Sequence, residues 1–203
     1  MKHIFCIMLS FLLLFSLCAC GAETVYFDEE MKAEENYIKQ ATAHFPQTFG
    51  TFDEATLLAS VFTVSKDGHI EGTYSEQDYS EKGDEYPFGT FYNNTFAGDF
   101  SNYEIISDYE IKMFCHNFST EQREESIDSA EGVRHATGLP KGFRNGEKGY
   151  TLYTPEAPVS AVPQEILGRL PYGTSGNIGV YIIYNNATGE CFSSADTSPS
   201  PQY

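Results

Sequence analysis

Alternation of apolar and polar residues between positions 57 and 118 predicts β-strands. The alternating runs 61–64 and 70–74 flank the dipeptide Asp67-Gly68. An Asp-Gly pair between two such runs is the strongest short-range signal for a β-hairpin, because both residues tolerate the positive φ that the turn requires. We therefore predict a hairpin here, and we expect the rest of the chain to extend and cover its sheet.

Two longer alternating runs, 89–100 and 109–118, add strands to this sheet. In the later run the apolar positions alternate with Glu110 and Lys112, which is typical of an antiparallel sheet with one face in water. A register slip of one residue would expose the whole apolar set, so the parity is informative. The predicted interior residues are Ile70, Tyr74, Tyr92, Phe96, Tyr109, Ile111 and Met113.

Before the sheet, residues 28–44 have the pattern of a helix. Asp28 is a favourable N-cap, and Pro46 ends the pattern shortly before Gly50. We expect this helix either to lie across an open face of the sheet or to space the domain from a membrane.

After the sheet, the pattern predicts further cover and a closing hairpin. Residues 119–135 are rich in acids and Ser, which predicts a mobile loop or a short polar helix. Strand character returns at 149–153, and a short helix follows near 163–170. A final hairpin joins 177–184 to 190–193 through the turn Asn185–Gly189 and would remove an open sheet edge.

These elements predict a mainly β fold with minor α content. The architecture is an antiparallel β-barrel or a barrel-like sandwich, with an N-terminal helix and a short helix near 163–170. The number of strands does not choose between barrel and sandwich. We expect one β-rich domain over 28–193, followed by a disordered tail at 194–203 that is rich in Ser, Pro and Thr.

The N-terminal 19 residues have the pattern of a secretory signal peptide. A basic start precedes an apolar run at 4–17 that is too short for a comfortable membrane span. The ending Leu17-Cys-Ala-Cys20 resembles the lipobox of bacterial lipoproteins, although Cys18 departs from the usual small or hydroxyl residue. The resemblance implies that Cys20 carries a diacylglyceryl group with fatty acyl chains such as palmitate. Residues 20–27 would then be a tether; an ordinary, unlipidated signal peptide is the alternative.

Charge excludes some partners. The chain carries a formal charge of −17, and removing residues 1–19 takes away one Lys, leaving 11 basic and 29 acidic residues, or −18. A protein this acidic is repelled by nucleic acid and by anionic lipid head groups. We therefore expect no nucleic-acid partner, and we expect the lipid to hold the protein at the extracytoplasmic face of the cell membrane.

Two cysteines remain in the domain once Cys20 is lipidated. Cys115 and Cys191 both fall in predicted strands, and a disulfide is chemically allowed outside the cytoplasm. The alternatives are a bond between them and two separate buried thiols.

Turn and strand residues carry a resemblance to one family. The motifs are Ser65-Lys-Asp-Gly68, Gly72-Thr-Tyr74 and Gly83-x-x-Tyr86-Pro-x-Gly89-Thr90, followed later by Tyr150-x-x-Tyr-x-Pro. They resemble uncharacterised lipoproteins and exported proteins of gut Firmicutes, which implies a Gram-positive surface protein. More loosely, the Asp-Gly hairpin followed by Gly-x-Tyr is similar to lipocalin-like domains, which implies a small barrel that binds an apolar ligand.

Two groups of side chains are candidate sites. An acidic loop offers oxygen ligands for calcium, although its spacing matches no known calcium loop; a solvated loop is the alternative. Aromatic residues would either line a ligand cavity or fill the barrel, and we favour filling. The acidic candidates are Glu76, Asp78, Glu81, Asp84 and Glu85, and the aromatic candidates are Tyr74, Tyr92, Phe96, Phe100 and Tyr109. We interpret His69 and His116 as surface residues.

Function is the least determined property. We expect a lipid-anchored binding or surface-scaffold module whose partner, a protein or a small apolar ligand, is not specified by the sequence. The alternative is a cell-envelope hydrolase acting through carboxylates such as Glu76 or Asp78, which would need two carboxyl groups set across a cleft. A deep pocket with convergent acids would favour the hydrolase, whereas a filled core would favour the module.

Overall fold

The computed structural model describes residues 29, 31–53, 56–122, 124–128, 130–144, 146–168 and 176–194. The predicted signal peptide, Cys20 and the tether lie outside these residues, as does the predicted tail beyond 194. The chain divides into two compact units, Met1–Ala41 and Thr42–Tyr203. In the first unit, residues 31–41 form helix α1, which confirms the N-terminal helix. Among the described residues, no helix is both long and apolar enough to cross a membrane.

The second unit contains the sheet and one short helix, α2, at Gln164–Leu167. Short 3-10 turns lie at Lys141–Phe143, Gly146–Lys148 and Val159–Ala161. The strands are β1 (Gln47–Asp53), β2 (Leu58–Val64), β3 (His69–Asp78), β4 (Thr90–Ser107), β5 (Glu110–Thr120), β6 (Ser126–Asp128), β7 (Val133–Ala136), β8 (Tyr150–Tyr153), β9 (Ile182–Asn185) and β10 (Cys191–Ser193).

Eight of these strands close into an antiparallel barrel. The order is β3-β2-β1-β10-β9-β8-β5-β4, and β4 pairs back onto β3. Each barrel strand pairs with the previous and the next barrel strand along the chain, which is the up-and-down topology. The barrel is therefore confirmed and the sandwich is excluded. Strands β6 and β7 stand outside the ring, where β7 pairs in parallel with the start of β4.

The predicted hairpin is formed by β2 and β3. Val64 lies opposite Ile70, and Gly68 between them has φ of +88°, a conformation that a residue with a Cβ rarely adopts. The closing hairpin between β9 and β10 is confirmed as well, with Cys191 opposite Tyr184. We call the end of the barrel at Gly68 the turn end. At the opposite end β3 finishes and β4 begins.

The parity prediction is correct at five of its seven positions. Ile70, Tyr74, Phe96, Ile111 and Met113 are all buried. Tyr92 is half-buried at the end of the barrel where β4 begins.

Tyr109 is the wrong member of the set. It lies in the turn before β5, where strand alternation does not yet apply, and its carbonyl accepts a hydrogen bond from the Thr154 amide. Its side chain packs against a hydrophobic cluster on the outer wall rather than inside the barrel.

That outer cluster forms a second core. The long connection from β8 to β9 includes α2, whose Ile166 is fully buried. Because Phe192 faces the interior while its neighbour Cys191 belongs to the outer cluster, the wall at β10 is covered on both faces. The buried members of the cluster are Tyr153, Ala157, Val162, Ile166, Ile178, Ile182 and Cys191.

The interior is filled by a ring that no strand contributes. Phe143 lies in the segment 137–149, which we call the plug and of which all residues except 145 are described. The plug covers the end of the barrel where β4 begins, and we call this end the plugged end. The Phe143 centroid lies 4.8–6.4 Å from six other aromatic centroids. These rings belong to Phe62, Phe96, Phe100, Phe118, Tyr150 and Phe192. The neighbouring residue 142 must be glycine, because a Cβ there would lie 1.8 Å from the Phe192 ring.

Two segments differ from the prediction. Strand β1 was not expected, because Gly50 was interpreted as part of the break after the helix; instead Gly50 pairs with both Val61 and Ser193. Residues 119–135 were expected to be a mobile loop or a polar helix, but they contain β6 and the start of β7. The start of β4 provides a free edge for β7, and backbone pairing there outweighs the weak strand propensity of a polar segment.

Truncating the central ring tests this description of the core. We expect Phe143→Ala to lower the free energy of unfolding by about 3–5 kcal/mol, because the cavity removes contacts to six rings. The matched control is Leu139→Ala in the same segment, where an exposed side chain should cost less than about 1 kcal/mol. Chemical denaturation measures both values, and equal midpoints for the two variants would contradict the filled interior.

Candidate functional site

The plugged end brings most of the candidate polar residues together. Glu76 follows Tyr74 by two positions on β3 and therefore points to the same side of the strand. The Tyr74 hydroxyl donates a hydrogen bond to the Glu76 carboxylate. From the plug, Lys141 Nζ and Arg144 Nη2 lie 3.9 Å and 3.8 Å from the same carboxylate. The Glu76 side chain is 13% exposed, so this interaction links the plug to the wall at a largely buried point.

The buried Asn185 side chain holds the plug from the opposite wall. Its Nδ2 donates to the carbonyls of Gly142 and Arg144, both at 3.0 Å, on either side of Phe143. Its Oδ1 accepts from the amides of Ala187 and Thr188 in the turn after β9. One side chain thus satisfies two plug carbonyls and fixes the turn that joins β9 to β10.

A second set of polar contacts lies at the rim. Glu81 lies in the loop from β3 to β4, residues 79–89. Its carboxylate accepts a hydrogen bond from the Tyr92 hydroxyl and lies 2.7 Å from Arg134 Nη2. The Arg134 guanidinium also lies over the Tyr86 ring, 5.2 Å from its centroid. The hydrogen bond from Tyr92 lowers the pKa of Glu81, and burial raises the pKa of Tyr92 to about 12. We call Glu81, Tyr86 and Arg134 the arginine clamp.

The five acids proposed for calcium do not converge. Glu76 faces the plug, Glu81 belongs to the arginine clamp, and Asp78 accepts hydrogen bonds from the Ser80 amide and hydroxyl. Asp84 and Glu85 are exposed, and neither forms an ion pair within the described part of the chain. Over those same residues, no group of three or more His, Cys, Asp or Glu side chains is arranged to hold a metal ion.

Three of the five aromatic candidates fill the barrel, and two lie outside its interior. Tyr74, Phe96 and Phe100 are buried, and both phenylalanines contact the Phe143 ring. Tyr92 lies at the rim, and Tyr109 lies on the outer wall. Burial raises the pKa of Tyr74 far above its ordinary value, as expected for a phenol inside a closed core.

Cys115 and Cys191 are not bonded to each other, so of the two alternatives the structure has two separate thiols. Cys191 faces the outer cluster, whereas the Cys115 sulfur lies beside Gly98 on the wall of β4 and β5. Strands β9 and β8 separate β10 from β5. Neighbouring strands lie about 4.8 Å apart, so β10 and β5 are separated by three such spacings along the sheet. Disulfide-bonded Cβ atoms are about 3.8 Å apart, so the two cysteines cannot form a bond. Burial raises the pKa of the Cys115 thiol to about 12, which makes it a poor nucleophile.

His69 is more connected than a plain surface histidine. Its Nδ1 lies 2.9 Å from Asp99 Oδ1, and its Nε2 lies 3.4 Å from Glu71 Oε1. Asp99 in turn accepts a hydrogen bond from Asn117. The hydrogen bond with Asp99 raises the pKa of His69 above its ordinary value of 6.5. His116 is exposed and lies 3.2 Å from the Asn102 amide nitrogen.

Among the described residues, grooves on the outer wall include two that border β4. The larger, of about 550 Å³, crosses β3, β4 and the end of β5, where hydroxyl side chains stand between Glu71 and Glu121. The smaller, of about 260 Å³, lies between β4 and the β6–β7 hairpin and is lined by Glu124 and His135 among others.

Together these features define a closed, eight-stranded up-and-down barrel with an aromatic core and a polar, ion-paired end. Comparison with known protein-family models, with curated proteins and with solved structures returned no match.

Removing the Asn185 side chain should loosen the plug. We expect Asn185→Ala to cost about 3 kcal/mol of unfolding free energy, because two buried carbonyls lose their donor. Asn185→Asp should cost at least as much, since it keeps the acceptor but turns an oxygen towards those carbonyls. The control is Asn93→Ala, an exposed position on β4 that should change stability by less than about 0.5 kcal/mol. If urea denaturation gives Asn185→Ala the same unfolding free energy as wild type, Asn185 does not hold the plug.

Stability should also depend on pH through His69. A raised folded-state pKa means that the contribution of His69 is complete below pH 6.5 and is lost as pH rises through the raised value. Asp99 acts in the opposite direction: its pKa is lowered, first by Asn117, so its contribution is lost as pH falls through the lowered value. The pair therefore stabilises most at mildly acidic pH.

The measurement is urea denaturation between about pH 5 and pH 9 for wild type and His69→Gln. The difference in unfolding free energy should shrink as pH rises. His44→Gln serves as the control, since His44 is exposed and outside any ion pair in the described residues. A constant difference across the range would contradict the role given to the His69–Asp99 pair.

Proposed function

We propose that this protein is a lipid-anchored binding module at the extracytoplasmic face of the membrane, and that its binding surface is the plugged end of the barrel. The observation that carries the proposal is Phe143 in the middle of the barrel. A lipocalin-like carrier needs its interior free for an apolar ligand. Here the interior is occupied by rings of the protein itself, which supports a scaffold that binds with its outside.

The position of the plugged end supports its choice as the binding surface. Strand β1 begins at the turn end, so the plugged end lies at the other end of the barrel from the point where the chain enters the sheet. Exposed large apolar side chains also gather there: Leu57, Tyr79, Phe88 and Leu139 all lie in connections at that end. Exposed apolar groups concentrated in one region are typical of interaction surfaces.

The electrostatics favour binding over hydrolysis. Hydrolysis of a glycosidic bond needs a carboxylic acid that stays protonated at neutral pH, which requires a raised pKa. The carboxylates of Asp78 and Glu81 have lowered pKa values because Ser80 and Tyr92 donate hydrogen bonds to them. Glu76 is engaged by Tyr74 and by two plug cations. These groups stabilise structure, which supports a module without bond-breaking chemistry at this end.

Lipidation is the part of the proposal that a single substitution tests. We expect wild-type protein to fractionate with membranes and to carry diacylglyceryl mass on an N-terminal Cys20. Cys20→Ala should abolish both the lipid and the processing at that site. The control is Cys18→Ala, which restores a common lipobox residue and should leave processing unchanged. If the Cys20→Ala protein stays as firmly membrane-bound as wild type, the anchor is not at this residue.

A further inference from the structure

We propose that the β3–β4 loop (79–89) at the plugged end binds an arginine-rich segment of another protein. The inference rests on the proposed function, because it names the partner of that same end. Its basis is a contact the protein already makes: in the arginine clamp, Glu81 and the Tyr86 ring hold the guanidinium of Arg134. Carboxylates and aromatic faces together select guanidinium, which donates bidentate hydrogen bonds to a carboxylate and stacks on rings.

The same loop carries a second set of such carboxylates and rings, and over the described residues they form no ion pair, although Lys82 lies in the same loop. Tyr79 is 51% exposed and Phe88 is 64% exposed, which makes Phe88 the most exposed of the large hydrophobic residues in the described chain. Asp84 and Glu85 are exposed and, over the described residues, take part in no ion pair. We call Tyr79, Asp84, Glu85 and Phe88 the open set.

The exposure of Phe88 is not a consequence of a loose loop. Its amide donates to the Gly132 carbonyl at 2.9 Å, and its carbonyl accepts from Gln77 Nε2 at 2.8 Å. The turn around it is closed by the Gly89 amide, which donates to the Tyr86 carbonyl at 3.2 Å. Hydrogen bonds on both sides therefore fix the backbone that presents the ring at the surface. A pre-positioned ring loses little conformational entropy on binding, which is the character of an interface anchor.

Charge decides which partner suits this surface. The whole chain carries −17, so a second copy of itself or an anionic surface would be repelled. A basic segment would be attracted from a distance and then held locally by the open set. Arginine is favoured over lysine, because the compact, strongly hydrated ammonium group stacks less well and cannot form a fork-shaped contact with a carboxylate.

The probes are a short oligo-arginine peptide and an oligo-lysine peptide of equal length, titrated calorimetrically into full-length protein at about 0.15 M salt, where long-range attraction is screened. We expect the arginine peptide to bind several-fold more tightly than the lysine peptide. The ring variant Tyr79→Ser/Phe88→Ser and the charge variant Asp84→Asn/Glu85→Gln should each weaken arginine-peptide binding by about tenfold.

The matched control is Asp108→Asn/Glu156→Gln, which removes the same two charges at the turn end and should change affinity by less than about twofold. Unchanged thermal unfolding confirms that each variant is folded. The proposal is overturned if both peptides bind equally, if the control variant weakens binding as much as the test variants do, or if neither peptide binds. None of these results contradicts the lipid-anchored module, which the lipidation experiment tests separately. A dimer of free protein that the ring variant abolishes would also overturn it, since the surface would then serve a second copy.

Discussion

The contact of Phe143 with six surrounding rings determines how this barrel is built. Strands β8, β9 and β10 have only three or four residues each, so they offer few backbone hydrogen bonds with which to hold a cylinder. An eight-stranded barrel has an interior just wide enough for side chains to fill. Because Phe143 comes from a connection rather than from a strand, one residue joins rings of β2, β4, β5, β8 and β10. The wall is held together from inside.

The polar groups at the plugged end follow from that arrangement. A segment that enters a barrel brings backbone carbonyls with it, and these need donors once they leave water. The Asn185 side chain donates hydrogen bonds to two of these carbonyls. The cations on either side of Phe143 in the sequence, Lys141 and Arg144, both lie within 4 Å of the Glu76 carboxylate. Groups that resemble a catalytic cluster in composition therefore have structural contacts, whereas the proposed partner surface consists of side chains of the outward-facing loop.

Local signals in the sequence account for the elements that it predicts correctly. The Asp67-Gly68 turn and the alternation in β4 and β5 depend on neighbours along the chain, so both are readable. Phe143 was not identified, because one aromatic residue between Lys141 and Arg144 has no periodicity and resembles a polar loop. Strand β1 depends on partners far along the chain. The open set includes Asp84 and Glu85, which composition does single out, but only the structure distinguishes them from Glu76 and Glu81.

Backbone pairing around the barrel is sparse where β1 lies beside β10. The two strands share a single residue pair, Gly50 with Ser193, while inside the barrel the Phe62 ring contacts both Phe49 of β1 and Phe192 of β10. This joint is therefore fastened by side chains more than by backbone. Such a joint is where native-state fluctuations would begin, as a narrow gap that opens and recloses while the rest of the ring keeps its ladders. Each opening would briefly present two strand edges, and the aromatic packing behind them limits how long they stay exposed to another chain.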